Sequence, residues 1–267
     1  VTDKTVGVSL VHVLGFAAVT DEMVKFCGDN DLFFIEDCCE SHGATYKGTK
    51  VGNFGDVSNF SFYFGHHITT IEGGMVCTND EKLYDYAKLF RSHGMTREAS
   101  NQVQEQYERT RPDLNPLFTF AVPGYNMRNQ ELNAVLGLEQ LKRLNYNCDK
   151  RRDNFKSWVD SLNSDKFFVD FHQNGNSNFA LPLVLKEKDL ELFEKCCILL
   201  DHKNVEYRIG TAGGGNQARQ PYLDKYNFIE HDLSNVDHIH DFGLYIGNHP
   251  ELSKTQIKEL CDRLNLL

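Results

Sequence analysis

Residues 32–36, L-F-F-I-E, are apolar without alternation up to their last member. A strand with one wet face alternates apolar and polar side chains, whereas a strand covered on both faces of a parallel sheet does not. What precedes this run supports that reading. Residues 6–13 (V-G-V-S-L-V-H-V) are rich in β-branched side chains and bounded by Gly15. Residues 20–30 begin on Thr20, a good cap, and end in Gly, Asp and Asn, which predicts a short helix. Strand, helix and buried strand together make a β-α-β unit. The polar residues from Asp37 to His42 follow directly, at the carboxyl end of the second strand, where open α/β sheets bind ligands.

Further along, residues 57–63 and 74–78 predict strands on either side of a glycine-rich turn. Asp80 caps a helix with Leu83, Tyr86, Ala87 and Phe90 on one face, and Gly94 closes it. Residues 97–116 are polar and read as a surface excursion. From Glu131 to about Leu162 the apolar spacing predicts a long connecting helix, broken near Asn145–Asn147. The remainder reads as a strand at 178–185, a helix at 188–202, a strand at 204–209, a glycine-rich loop, and a last helix capped by S-K-T-Q at Ser253. The expected division is 1–130 as one domain, 131–165 as the connection, and 166–267 as a smaller α+β domain.

The 267 residues carry 28 Lys+Arg and 38 Asp+Glu, a net charge of −10, which argues against a nucleic-acid backbone binder. No apolar run approaches the ~20 residues of a membrane span. The eight cysteines include the adjacent pairs Cys38-Cys39 and Cys196-Cys197 but no C-x-x-C, so reduced thiols in a cytoplasmic protein are expected rather than disulfides or a metal site.

Several residues qualify for chemistry. Asp37 is either a ligand-binding carboxylate or a loop cap. His66 and His67, delivered together after F-S-F-Y-F-G, diverge in direction, which favours one functional and one structural ring over a metal pair. His93 in R-S-H-G is either a polar group near a substrate or a helix-end residue. Arg208 and Arg219 flank Gly213-Gly214-Gly215, and are either surface charges on a loop or contacts to a diphosphate, which guanidinium matches in a bidentate manner.

Taken in order, E-D-C-C-E-S-H-G-A at 36–44, V-G-N-F-G-D at 51–56, F-S-F-Y-F-G-H-H at 60–67, E-G-G-M-V-C-T-N-D at 72–80, R-S-H-G at 91–94 and P-G-Y-N-M-R at 123–128 resemble the DegT/DnrJ/EryC1/StrS sugar aminotransferase family. The resemblance implies an α/β fold: the large domain of a type I pyridoxal-phosphate-dependent transferase, N-terminally incomplete here, with a smaller α+β domain. It implies that Asp37 pairs with the pyridine nitrogen of pyridoxal 5′-phosphate or its pyridoxamine form. Ser61 would bind the cofactor phosphate, Glu40 would lie near its 3-oxygen, and Asn126 would reach the phosphate in a second subunit, making a homodimer with a shared site. Relatives also carry a segment before the position of Val1, with a phosphate-holding loop and an aromatic that stacks on the ring.

One position departs from the aminotransferase pattern. Where those enzymes carry the lysine that holds the cofactor covalently, this chain has His66. The same F-G-H-H-x-T-T-I-E-G-G-M pattern resembles the family's nucleotide-sugar 3-dehydratases. That likeness implies removal of the C3 hydroxyl from a 4-keto-6-deoxy sugar nucleotide, GDP-linked by preference, in lipopolysaccharide O-antigen deoxysugar synthesis. His66 would move the proton at the cofactor's C4′ carbon, with His93 as a second polar group. Ammonia would be released and L-glutamate would re-aminate the cofactor. The absence of C-x-C disfavours the iron–sulfur variant of this chemistry. An aminotransferase acting on a 4-keto sugar nucleotide and a non-catalytic sugar-nucleotide-binding remnant are the competing expectations.

Overall fold

A computed structural model describes residues 1–210, 215–226 and 232–267. Its elements run β1 (Gly7–Val11), α1 (Asp21–Asp29), β2 (Phe33–Asp37), β3 (Thr45–Tyr46), β4 (Thr49–Lys50), β5 (Val57–Ser61), β6 (Gly74–Cys77), α2 (Glu81–Arg91) and α3 (Asn101–Thr110). There follow α4 (Glu131–Leu141), α5 (Leu144–Ser161), β7 (Ala180–Val184), α6 (Leu190–His202), β8 (Tyr207–Ile209), α7 (Ser234–Phe242), β9 (Gly243–Gly247) and α8 (Lys254–Asn265). Among the described residues, no helix is long and apolar enough to cross a membrane. The chain divides into two compact units, one of residues 1–11, 19–39 and 52–142, the other of 12–18, 40–51 and 143–267.

The first unit is built on a four-stranded sheet in the order β1-β2-β5-β6, parallel at β1-β2 and β2-β5 and antiparallel at β5-β6. The β-α-β reading of the sequence holds. Thr20 caps α1 through its hydroxyl, which accepts the Met23 amide at 3.2 Å, and Asp80 caps α2 by accepting the amides of Lys82 and Leu83 at 2.8 and 2.9 Å. The continuous apolar run is covered less evenly than expected. Phe34 and Glu36 are buried, whereas Phe33, on the other face of β2, is exposed. Residues 97–116 are a surface excursion as read, and they carry α3. That helix buries no residue and is made of Gln, Glu and Arg, which favour helix without an apolar stripe to announce it.

The second unit has a three-stranded antiparallel sheet in the order β7-β9-β8. Phe155, Trp158, Leu181, Leu200, Leu244 and Leu264 from α5, β7, α6, β9 and α8 form one continuous core. Trp158 is fully buried and its indole N–H donates to the Pro182 carbonyl at 2.7 Å. Arg151 is buried in this unit, where its guanidinium donates to the carbonyls of Phe179 and Asn248, and burial pulls its pKa down to about 10. The predicted capping box at Ser253 is present, with Gln256 as its partner.

Two boundaries differ from the sequence reading. The long helix breaks at Lys142 and Arg143, so Asn145 and Asn147 lie inside α5. The pair α7-β9 is absent from that reading because G-L-Y-I-G is short and glycine-bounded, yet β9 is the central strand of its sheet.

Candidate active site

In the first unit the parallel register aligns Val11, Asp37 and Asn59 across β1, β2 and β5. Strand side chains alternate, so Asp37, Asn59 and Ser61 share one face at the carboxyl end of the sheet, while Glu36 and Ser58 share the other. The Asp37 Oδ1 atom accepts the Cys39 amide at 3.0 Å, and its second oxygen makes no hydrogen bond among the described residues. Ser61 ends β5 half-buried, its hydroxyl accepting the Tyr63 amide at 3.2 Å.

Glu36 has a different task that the sequence did not disclose. Its fully buried carboxylate accepts three backbone amides, Gly52 at 2.9 Å, Phe54 at 2.7 Å and Gly55 at 2.8 Å. It thereby fixes V-G-N-F-G-D against the strand that carries Asp37. The only sequence signal was a carboxylate closing an apolar run, a place where a charge needs compensation.

The segment from Phe62 to Gly73 holds the two histidines. His66 is half-buried with its ring edge-on to Tyr63 at 5.8 Å, and His67 is buried. The loop is tied down at its base: the Thr70 amide and Thr69 hydroxyl donate to the Phe62 carbonyl at 2.9 and 3.2 Å, and the Phe62 amide donates to the Gly73 carbonyl at 2.8 Å. The Glu72 carbonyl accepts both the Thr70 hydroxyl at 2.7 Å and the Asn133 side-chain amide at 2.6 Å. Gly73 has φ +152, and a Cβ there would sit 2.4 Å from the Thr70 hydroxyl oxygen, so the turn requires glycine.

His93 and Asn126 are brought together. Ser92 and Asn126 form an antiparallel bridge, and the His93 amide donates to the Tyr125 carbonyl at 2.6 Å. His93 itself has φ +61 and is followed by Gly94 at φ +80, whose missing Cβ would stand 1.8 Å from the Val122 carbonyl oxygen. A non-glycine residue in the left-handed region stores backbone strain of about 1 kcal/mol. Nearby, the guanidinium groups of Arg91, Arg97 and Arg128 lie 3.7–3.9 Å from the single carboxylate of Glu98, leaving this surface positively charged.

The remaining expected residues lie in the second unit. The Glu40 Oε2 atom accepts the Leu14 amide at 2.7 Å, holding a turn in which Leu14 has φ +53. Arg219 is committed to α7, with its guanidinium 2.7 Å from Asp241 and 2.6 Å from Asp237. Arg208 is exposed, 3.9 Å from Glu206. Gly213 and Gly214 lie outside the described residues. Two histidines of α7 have structural partners: the His238 ring contacts the Leu185 carbonyl at 2.7 Å, and His240 Nδ1 accepts the Asn216 amide at 3.0 Å.

The profile of a family described as the DegT/DnrJ/EryC1/StrS aminotransferase family matches residues 1–265. GDP-4-keto-6-deoxy-D-mannose 3-dehydratase of Yersinia pseudotuberculosis is 32% identical over 270 residues, covering 99% of this chain and 67% of the relative. The enzyme of the same name from Escherichia coli O55:H7 is 30% identical over 252 residues, covering 93% of this chain and 64% of the relative. The chain thus spans about two thirds of the length of these curated relatives. A crystal structure of GDP-4-keto-6-deoxymannose-3-dehydratase with a trapped PLP-glutamate geminal diamine superposes with a TM-score of 0.87 at 30% identity, covering 99% of this chain and 69% of that one.

Proposed function

The chain belongs to the DegT/DnrJ/EryC1/StrS aminotransferase family, and from that premise we propose that it is a pyridoxal-phosphate-dependent 3-dehydratase. It removes the C3 hydroxyl from a nucleotide-linked 4-keto-6-deoxy sugar, GDP-linked by preference, and uses L-glutamate as amino donor. The observation that carries this reading is His66, which stands in the loop after Ser61 where an aminotransferase needs its cofactor-holding lysine. Residues 61–80 contain no lysine at all.

The residues present fit the cofactor. The open oxygen of Asp37 suits a protonated pyridine nitrogen, and Ser61, while accepting the Tyr63 amide, keeps its own proton for a phosphate oxygen. When bound, the cofactor supplies an electron-withdrawing ring and an exchangeable amine. Asp37 keeps the ring nitrogen protonated. His66 would carry the proton between the cofactor's C4′ carbon and the departing C3 oxygen. His93 and the positive surface around Arg128 face the polar parts of the substrate. Glu40 orders the turn at Leu14, and the family resemblance would assign it to the cofactor's 3-oxygen and Arg208 to the diphosphate. Arg219, already paired with two carboxylates, contributes by holding its own segment on α7 as well as by any contact to substrate.

The working form is a homodimer in the cytoplasm, with Asn126 reaching the phosphate held by the second subunit. Helix α4 supports the dimer, since it exposes Leu132, Val135, Leu138 and Leu141 and buries nothing. The test is reduction with borohydride after loading with pyridoxal phosphate in the absence of glutamate. The wild-type chain should show aldehyde absorbance and carry no reduced cofactor on the protein, whereas His66→Lys should gain a borohydride-stable adduct. A stable adduct on the wild-type chain contradicts the assignment.

A further inference from the structure

Asn59 is out of place by strand propensity. It lies inside β5, which is paired on both sides by β2 and β6, where β-branched or aromatic residues are favoured and Asn is depleted. Local rules are broken most often where a function requires it. The geometry around Asn59 supplies a reason. Its backbone carbonyl accepts the Cys38 amide at 2.9 Å, the last ladder bond before the chain leaves the sheet. Its side-chain amide donates to the Cys39 sulfur at 3.2 Å. Cys39 in turn donates its backbone N–H to Asp37 Oδ1 at 3.0 Å. Asn59 therefore grips both residues of the Cys38-Cys39 turn, and that turn occupies one oxygen of Asp37 and directs the carboxylate.

We infer that Asn59 is a positioning residue for Asp37, acting through Cys39 so that the open carboxylate oxygen is presented to the nitrogen of a bound pyridine ring. This rests on the reading of Asp37 given above. A leucine or valine at position 59 would satisfy the strand but remove the bond to the Cys39 sulfur, loosening the turn whose amide directs the carboxylate.

The experiment compares binding of pyridoxal phosphate with that of its 1-deaza analogue, in which C–H replaces the ring nitrogen. The wild-type chain should prefer the natural cofactor by about ten-fold, the scale of one charge-assisted hydrogen bond. Asn59→Ala should bring that ratio close to one by weakening only the natural cofactor, with the deaza analogue bound as before. Equal weakening of both compounds, or an unchanged ratio, would overturn the inference. No preference in the wild-type chain would remove the Asp37 reading itself, and the inference with it. If Asn59→Ala does not fold, Cys39→Ala, which removes only the sulfur acceptor, should lower the ratio in the same direction, and an unchanged ratio there also overturns it.

Discussion

The second unit holds itself together with an apolar core, and the first holds its site together with polar side chains that bond to its turns. In the second, one apolar core joins α5, α6, α8 and the β7-β9-β8 sheet around a tryptophan with no exposed surface. In the first, the residues proposed for chemistry rest on hydrogen-bonded turns: Glu36 under the Gly52–Gly55 loop, Asn59 under the Cys38-Cys39 turn, Thr69, Thr70 and Asn133 under the histidine loop. It also leaves large apolar side chains open, Leu132 at 74% and Leu138 at 65% exposure. The difference teaches that stability and function are spread over different residue types here, so substitutions should separate them.

Trp158→Ala should break the contrast most. Loss of a fully buried indole, including its bond to Pro182, is expected to cost about 4 kcal/mol in urea unfolding. Glu36→Ala comes next, at about 3 kcal/mol, because three part-buried amides lose a fully buried acceptor at once. A loss below about 1 kcal/mol would show that water replaces the carboxylate and that the first unit does not depend on it.

The buried thiols give a pH signature that is largest in the second unit. Burial pushes Cys196 and Cys261 up to about 12 from the ordinary thiol value of 9.0. The unfolded chain releases these protons first, so above about pH 9 it binds fewer protons than the folded chain and stability falls as pH rises toward 12. Each thiol contributes up to about 1.4 kcal/mol per pH unit in that window. Below pH 9 their contribution is complete and flat. A thermal melting series across this range should show the decline, and Cys196→Ala should make it shallower.

Leu138→Glu should have the smallest effect on the fold, within about 0.5 kcal/mol, since the side chain is exposed. Its effect should be on assembly, converting a dimer to a monomer in sedimentation. An unchanged dimer would remove α4 from the interface.

The β-α-β opening was legible because Thr20 and the unbroken L-F-F-I-E run are local signals, and Asp80 and Ser253 announced their helices for the same reason. Motif spacing expected Asp37 and Ser61 near the ends of two strands, and the structure has them ending β2 and β5. What escaped was decided by distant partners. Nothing near Glu36 in the chain says that amides sixteen to nineteen residues later will surround it. Likewise Arg219 read as a surface charge or a diphosphate contact, and its pairing with Asp237 and Asp241 rests on a helix the pattern did not reveal. Helix α3 was hidden by its own polarity, and β9 by its glycines.

The central claim is that a histidine in the lysine position turns an aminotransferase scaffold to dehydration. It is tested most directly by incubating the chain with GDP-4-keto-6-deoxymannose, pyridoxal phosphate and L-glutamate and identifying the products by mass spectrometry. A 3-deoxy ketosugar nucleotide with one ammonia released per turnover is the predicted result, and a 4-amino sugar nucleotide as the only product would contradict it.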